Sequence, residues 1–335
     1  MEVRRNRLFI AAGLAVIVII LAGSFVLSIL PVSGRQTVRV VLPKGAGARE
    51  MGRILSVNHV IRSPFAFRIM ARLTGKGNRL HSGAYDFQPG TGLLDVLRKI
   101  ETGEVSAKWI TFPEGFTIRQ MGERLESAGA GSADKFEKKA LYDGASFNTN
   151  FAQPGQSLEG YLFPDTYLVP LGTSEDGVIR EMLESFDTKV VQALKDDIKA
   201  SGMSLKDVVT LASLIEREAR IPKDRPLIAA VLLNRMKKHM RLECDATILY
   251  ALGKHKNRVL FKDLEIDSPY NTYRNAGLPP GPIANPGLDS IKAALHPAAA
   301  DYLYYVARSD GSHIFSRTFE EHQHAKVIAR RKEKD

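Results

Sequence analysis

Cysteine is almost absent from this chain, and its scarcity limits the chemistry available. The 335 residues include one cysteine, Cys244, so no intramolecular disulfide can form. Because Cys244 lies far from the N-terminus, no lipid-bearing cysteine stands near the start of the chain. The sequence also offers this thiol no evident catalytic base. We therefore interpret Cys244 as a small packed residue.

The signatures of metal, nucleophile and phosphate chemistry are missing as well. The histidines outside the C-terminal segment have no ligand spacing, and His322-x-His324 lies among charged residues. There is no Gly-x-Ser-x-Gly motif, and Gly45-Ala46-Gly47 lacks the Lys-Ser/Thr that completes a phosphate-binding loop. The sequence therefore predicts no metal site and no cofactor.

A long uncharged run opens the chain. Arg4, Arg5 and Arg7 precede residues 8–30, which contain no charged side chain. A run of this length spans a bilayer, and the upstream arginines predict a cytoplasmic segment at 1–7. No clear small-x-small cleavage site follows, which favours a retained single-pass anchor over a signal peptide. The rest of the chain is then expected outside the cytoplasm.

The chain is basic, with a formal net charge of +10. Given the predicted topology, this charge favours a polyanionic envelope polymer or the membrane surface as a partner, and not nucleic acid. The last run of basic residues, within 330–335, is interpreted as a solvated tail.

An internal repeat occupies residues 37–127. Val40–Leu55 and Ile110–Leu125 share a pattern of short strand, Pro/Gly turn and helix, and Tyr85–Ile100 is a weaker copy. The copies contain no clustered His, Cys or carboxylate, so we expect a binding or spacing module. Residues 128–157, rich in Gly, Ala, Ser, Asn and Gln, are interpreted as a linker with one short helix capped by Ser132.

The most informative stretch is the predicted helix over 204–220. Its apolar residues gather on one broad arc, and Glu218 falls inside that arc, whereas Glu216 lies at its edge. Loss of hydration raises the pKa of a carboxylate, and the nearby helix end at Arg220-Ile221-Pro222 acts in the same direction. Glu218 is therefore a candidate general acid. The alternative is that it leans outward and pairs with a basic residue.

Three loops combine aromatic rings with Asp, Asn and Thr, at residues 159–167, 242–250 and 268–287. Aromatic faces beside hydrogen-bonding groups suit a carbohydrate, which presents apolar ring faces edged by hydroxyls. Each loop alone also fits a rigid turn. Together with Glu218 they predict a saccharide cleft in a mostly helical domain over 158–329.

These motifs resemble the endolytic murein transglycosylase (YceG-like) family. The resemblance is carried by Leu211–Ala219, Glu159–Tyr167, Asn271-x-Tyr273 with Gly277–Gly281, and Ala294-x-His296-Pro297. It implies an α+β protein with an N-terminal transmembrane helix, a LysM-like module and a lysozyme-like catalytic domain. The protein is expected in the inner membrane with its catalytic domain in the periplasm.

The resemblance also implies roles. Glu218 corresponds to the catalytic glutamate, and the reaction cuts the bond between N-acetylmuramic acid and N-acetylglucosamine within strands, leaving 1,6-anhydro ends and terminating strand growth. Peptidoglycan strands and peptidoglycan synthases are the expected partners. We assign substrate binding to the remaining polar and aromatic candidates: Glu159, Tyr161, Asp165, Tyr167, Glu216, Asp245, Thr247, Asn271 and Tyr273.

Two other interpretations stay open from the residues alone. In the first, the enzyme is a hydrolase of the same bond, with Glu216, Asp165 or Asp245 as a second carboxylate. In the second, the chain is a non-catalytic peptidoglycan-binding scaffold. A glutamate on an apolar helix face favours catalysis, because binding alone does not require it.

Overall fold

Helices and short strand pairs build two units. The structure, a computed structural model, describes residues 2–33, 36–43, 45–77, 79–147, 149, 151, 156–253 and 259–331, so most of the predicted basic tail lies outside it. The first unit comprises Met1–Trp109 with Leu168–Thr173, and the second comprises Ile110–Tyr167 with Ser174–Asp335. The α+β class predicted from the sequence is confirmed.

The N-terminal helix α1 covers Glu2–Ile29. A bilayer-spanning helix needs about 20 consecutive, predominantly apolar residues. Within the described part of the chain, no helix combines the length and the apolar character needed to cross a membrane. The predictions of a transmembrane helix at 8–30 and of a single-pass inner-membrane protein with a periplasmic catalytic domain are therefore wrong.

The first unit contains two copies of the predicted strand–turn–helix pattern. The first copy is β1 (Val38–Leu42) followed by α2 (Ala48–Val57). An unpredicted helix, α3 (Pro64–Leu73), comes next, and β2 (Gly83–Phe87) with α4 (Leu93–Thr102) forms the weaker copy. Strands β1 and β2 pair antiparallel and bury alternate side chains against these helices.

The remaining copy of the repeat contributes to the second unit. It consists of β3 (Ala107–Thr111) and α5 (Ile118–Ser127), which begins with a capping box between Thr117 and Gln120. The next helix, α6 (Ala133–Tyr142), is capped by Ser132 as predicted, and its Phe136 is fully buried. Strand β4 (Thr166–Pro170) pairs with β3, and the boundary between the two units falls within both strands.

The second unit is mostly helical, with one terminal hairpin. Its remaining elements are α7 (Glu175–Phe186), a π-helical turn (Asp187–Gln192), α8 (Lys195–Ser201), α9 (Leu205–Glu218), α10 (Arg225–Lys237), α11 (Asp245–Leu252), α12 (Leu288–Leu295), β5 (Tyr304–Ala307), β6 (His313–Ser316) and α13 (Phe319–Arg331). The sequence pattern predicts helices over 204–220, 225–239 and 288–295, and α9, α10 and α12 confirm these predictions to within two residues. The pattern also predicts a single helix over 176–195, which is interrupted by the π-helical turn, and it does not predict α11 or the β5–β6 hairpin.

Helix α9 is the centre of this unit. The Ser204 hydroxyl caps it by accepting a hydrogen bond from the Asp207 backbone N–H at 3.1 Å. Every residue from Val208 to Ile215 is buried, so the helix is enclosed on all sides and is not a surface helix with one apolar face. Helices α10, α11 and α12 pack against it. The polar end of this buried helix is consequently held in a fixed place.

Gly160 makes the close approach between the 159–167 loop and α9 possible. Its φ is +89°, and a Cβ there would lie 2.5 Å from the Pro282 side chain and 2.9 Å from that of Val209. We expect Gly160→Ala to lower the free energy of unfolding by roughly 2–4 kcal/mol, combining overpacking with left-handed backbone strain. Urea unfolding measures this loss.

Gly202→Ala is the matched control for that substitution. Gly202 has a φ of +70° with nothing within 4 Å of the added Cβ, so only the backbone strain of about 1 kcal/mol applies. Equal losses for the two variants would contradict the packing argument at Gly160.

Candidate active site

Glu218 is the last residue of α9. Ala219 leaves the helix with φ −76° and ψ 118°, while its N–H still donates to the Ile215 carbonyl at 2.8 Å. The helix therefore ends two residues earlier than the sequence predicts, and Pro222 follows within the next turn. This geometry places the Glu218 carboxyl at the negative end of the α9 dipole.

The Glu218 side chain faces a cavity of about 660 Å³ within the second unit. Its walls come from the end of α9, the loop before α11, the start of α11 and strand β5. The polar and charged groups among its lining residues are Arg217, Glu218, Arg220, Arg235, Glu243, Asp245, Tyr273, Tyr304, Tyr305, His313, His322 and Lys326. The volume is typical of a ligand site, roughly 300–1,000 Å³.

Burial raises the pKa of Glu218 to about 7, and the charge of Asp245 adds to the effect. Hydrogen bonding to the Tyr305 hydroxyl and to the Ala246 backbone N–H acts in the opposite direction, as does the charge of Arg217. Loss of hydration outweighs these contributions. At neutral pH a substantial fraction of Glu218 is thus protonated, which is the state that a general acid requires.

Asp245 and Tyr273 form a pair on the wall of this cavity. The Tyr273 hydroxyl donates to Asp245 Oδ1 at 2.5 Å, and burial together with this bond raises the pKa of the Tyr273 phenol. Asp245 is the first residue of α11, where the helix dipole favours a negative charge. Both residues were predicted from the sequence as substrate-binding, and both line the cavity that Glu218 faces.

Tyr305 is held by the residues behind it. The His313 ring packs edge-on against the Tyr305 ring with 5.5 Å between centroids. Asp224 Oδ2 in turn accepts the His313 backbone N–H at 2.9 Å and contacts its Nδ1 at 3.0 Å. All three side chains are at least partly enclosed, so Tyr305 has a restricted position beside Glu218.

Arg235 joins the two walls of the cavity. Its guanidinium donates to the Leu303 carbonyl at 2.7 Å and to the Leu242 carbonyl at 3.0 Å, and it pairs with Glu243 at 3.1 Å. It also lies over the Tyr304 ring, 5.1 Å from the centroid. The loop before α11 and strand β5 are thereby fixed relative to each other.

Glu216 has a different environment from Glu218. Its Oε2 accepts the Gly287 backbone N–H at 3.0 Å, and its Oε1 lies 3.5 Å from Arg225. Arg225 also lies 3.7 Å from Glu114, whose pKa is raised by burial and by the charge of Glu216. Glu216 does not line the cavity. Its contacts fix the loop around Gly287 to α9.

Glu159 is buried and binds the start of α5. Its carboxyl accepts the Ile118 backbone N–H at 3.0 Å and the Asn285 amide at 2.9 Å. Burial raises the pKa of Glu159 to about 8, although these hydrogen bonds and one from Tyr250 oppose the shift. Glu159 is separate from the Glu218 cavity and lines a neighbouring one.

Three further predicted residues of the 159–167 loop lie outside the cavity. Tyr161 packs its ring against Phe186, 5.4 Å between centroids, and burial raises its pKa to about 12. Tyr167 donates its hydroxyl to the Phe163 carbonyl at 2.7 Å. Asp165 pairs with Lys189, and this contact lowers the pKa of Asp165. Each of these contacts fixes the loop itself.

Thr247 and Asn271 stabilise the loops that form the wall of the cavity. The Thr247 hydroxyl bonds the Cys244 carbonyl at 2.7 Å and lies 2.9 Å from that of Thr272. Asn271 donates to two carbonyls at 2.9 Å, and its Oδ1 accepts the Tyr273 backbone N–H at 2.9 Å. Asn271 therefore orients the loop that carries Tyr273.

The sequence analysis missed Arg235, Tyr305 and His313. The aromatic run Tyr302-Leu303-Tyr304-Tyr305 points to Tyr305 as a candidate, but no local spacing in the sequence links this run to Glu218. Within the described ranges, no group of three or more His, Cys, Asp or Glu side chains is arranged to hold a metal ion.

Comparison with known proteins gives concordant matches. The sequence model of the YceG-like family matches residues 40–327. A Bacillus subtilis protein named endolytic murein transglycosylase is 39% identical over 330 residues, which cover 91% of this chain and 88% of that protein. A protein of the same name from Streptococcus pneumoniae is 29% identical over 327 residues, 88% of this chain but 59% of that protein. The crystal structure of a yceG-like protein from Listeria monocytogenes superposes with a TM-score of 0.59 at 33% identity, covering 87% of this chain and 99% of that one.

Proposed function

The chain belongs to the YceG-like family, and we propose that it is an endolytic murein transglycosylase with Glu218 as its catalytic acid and base. The observation that carries the catalytic assignment is a carboxyl group with a pKa raised to about 7 on the wall of a ligand-sized cavity. Its substrate is the peptidoglycan glycan strand. No other carboxyl group of the described chain combines that pKa with a position on this cavity.

In the first step, protonated Glu218 donates its proton to the glycosidic oxygen between N-acetylmuramic acid and N-acetylglucosamine. The bond from that oxygen to the sugar carbon breaks, and positive charge develops at the ring. The acetamido group of the substrate shields this charge. In the second step, the Glu218 carboxylate takes the proton of the sugar's 6-hydroxyl. The oxygen of that hydroxyl bonds to the sugar carbon that lost the glycosidic oxygen, which closes the 1,6-anhydro ring. Glu218 ends the cycle protonated and no water is consumed.

Asp245 and Tyr273 bind the saccharide beside the acid. The charge of Asp245 adds to the larger effect of burial in raising the pKa of Glu218, and its Oδ2 is left to accept a sugar hydroxyl when Oδ1 is bonded to Tyr273. Tyr273 adds an aromatic face to the same wall. Glu159 lines the neighbouring cavity, and the remaining predicted substrate-binding residues are proposed to act through the loops they hold.

A hydrolase of the same bond is the second candidate. Of the possible second carboxylates, Glu216 is engaged by Arg225 and Gly287, and Asp165 by Lys189. Of these three carboxylates, only Asp245 lines the Glu218 cavity, and its position there favours the hydrolase. The scaffold interpretation leaves the raised pKa of Glu218 without a role.

The repeat module has a proposed role in positioning the substrate. We propose that the repeat module is LysM-like and positions glycan without chemistry, since its helices and strands serve mainly to bury a small apolar core. Contact with peptidoglycan synthases is proposed on the family resemblance alone.

The decisive experiment is product analysis on purified glycan strands with chelator present. We expect 1,6-anhydro ends from the unmodified protein and virtually no cleavage by Glu218→Gln. The loss should exceed the roughly 10²–10⁴-fold that one general acid usually supplies, because Glu218 serves both steps. Reducing-end products in quantity would move the assignment to the hydrolase.

Glu216→Gln is the matched comparison on the same helix. An amide oxygen still accepts the Gly287 N–H, so we expect a much smaller loss of cleavage than at Glu218. Thermal melts of both variants check that each is folded. An inactive Glu216→Gln beside an active Glu218→Gln would show that the wrong carboxyl group has been chosen.

The pH dependence of kcat/KM follows from the raised pKa of Glu218. The protonated form begins the reaction, so activity should decline as pH rises through about 7. Initial rates on one glycan preparation between pH 5 and 9, roughly two units either side of that pKa, measure this limb. A profile that falls only below pH 6 would indicate that a deprotonated group begins the reaction.

Tyr305→Phe tests the control of that pKa. The Tyr305 hydroxyl stabilises the charged form of Glu218, so its removal should raise the pKa and move the alkaline limb to higher pH. The buried packing against His313 is kept by phenylalanine. An unchanged limb in a folded variant would remove Tyr305 from this role.

A further inference from the structure

A second cavity adjoins the one that Glu218 faces. It measures about 620 Å³ and shares Arg217, Ala246 and Leu249 with the first cavity. Its other walls come from α5, the end of α6, the Glu159 loop and α11. Both cavities lie in the second unit and both have the size of a ligand site. Proton transfer by Glu218 takes place in only one of them.

We propose that the second cavity binds the glycan strand on the far side of the bond that Glu218 cleaves, as a site for its sugar rings. This inference rests on the proposed function, because an endolytic enzyme cuts a polymer that continues on both sides of the scissile bond. The shared wall formed by Arg217, Ala246 and Leu249 is where a strand would pass from one cavity to the other.

Ion pairing removes most of the charge from this cavity. The Arg119 guanidinium pairs with Glu137 at 3.1 Å and donates to the Gly253 carbonyl at 3.2 Å. Glu159 is largely protonated at neutral pH, since burial raises its pKa to about 8. Glu123 and Arg217 remain, with opposite charges. The lining is therefore close to neutral overall, which suits sugar rings better than a stem peptide with several charged groups.

The rest of the lining suits a sugar ring. Leu141, Leu249 and Ile283 supply apolar surface, and Tyr250 supplies an aromatic ring. Thr117 and Gln120 add hydroxyl and amide groups at the start of α5. A saccharide presents apolar faces edged by hydroxyls, which this combination of surfaces can match.

Obstruction of the cavity tests the proposal in the full-length protein. Arg119 and Glu123 are exposed and one turn apart on α5, so tryptophan at either position fills the cavity mouth without disturbing the core. We expect Glu123→Trp and Arg119→Trp to move cleavage of peptide-free glycan strands from internal positions towards strand ends. Lys138→Trp, exposed on α6 outside the lining, is the matched control and should keep the original product lengths.

Binding provides a measurement that does not require cleavage. In the Glu218→Gln background, Glu123→Trp should weaken binding of labelled peptide-free strands by at least tenfold, and Lys138→Trp should not. Products and affinities equal to those of the control would overturn the proposal. So would an effect seen only on strands that carry stem peptides, since the cavity would then bind peptide. Absence of cleavage by the unmodified protein would instead refute the proposed function, and the binding measurement would still decide the role of the cavity.

Discussion

The side-chain amide of Asn285 holds the second unit together around the candidate site. Its Oδ1 accepts the backbone N–H groups of Gly160 and Leu162 at 2.9 and 3.0 Å, and its Nδ2 donates to the Phe116 carbonyl and to Glu159. Three chain segments far apart in sequence are thus joined by one buried group whose hydrogen-bonding capacity is nearly filled. The approach of the 159–167 loop to α9, and the position of α5 beside the second cavity, depend on this residue.

Two glutamates two residues apart on α9 show how environment separates equal side chains. In the sequence they differ by their place on an apolar arc, yet both are half-buried at the end of α9, so exposure does not decide between them. Their partners do. Glu216 has a backbone donor and an arginine, whereas Glu218 ends the helix beside Asp245 and a tyrosine hydroxyl. Two residues along a helix correspond to a rotation of roughly 200° around its axis, so the two side chains meet different electrostatic surroundings.

Local pattern was sufficient to predict the strand–turn–helix copies, α9, α10 and α12, because their periodicity, caps and turns act over a few residues. It was insufficient where partners are distant. Thr247 and Asn271 carry polar groups typical of a binding loop, but those groups bond the backbone around them. Tyr305 lies almost 90 positions beyond Glu218, and only folding brings them together. The uncharged N-terminal run matched the length of a membrane span, but among the described residues no helix is long and apolar enough to cross a membrane.

The walls of the Glu218 cavity are assembled from residues between Arg217 and Lys326, and the β5–β6 hairpin is synthesised well after α9. Helix α9 and Glu218 therefore leave the ribosome well before Tyr305, which hydrogen-bonds Glu218. Arg235 likewise cannot contact the Leu303 carbonyl until strand β5 has been made. A nascent chain that ends before the hairpin would carry Glu218 without the full enclosure that raises its pKa. The surroundings of Glu218 are therefore complete only once the β5–β6 hairpin has been made and has folded onto α9.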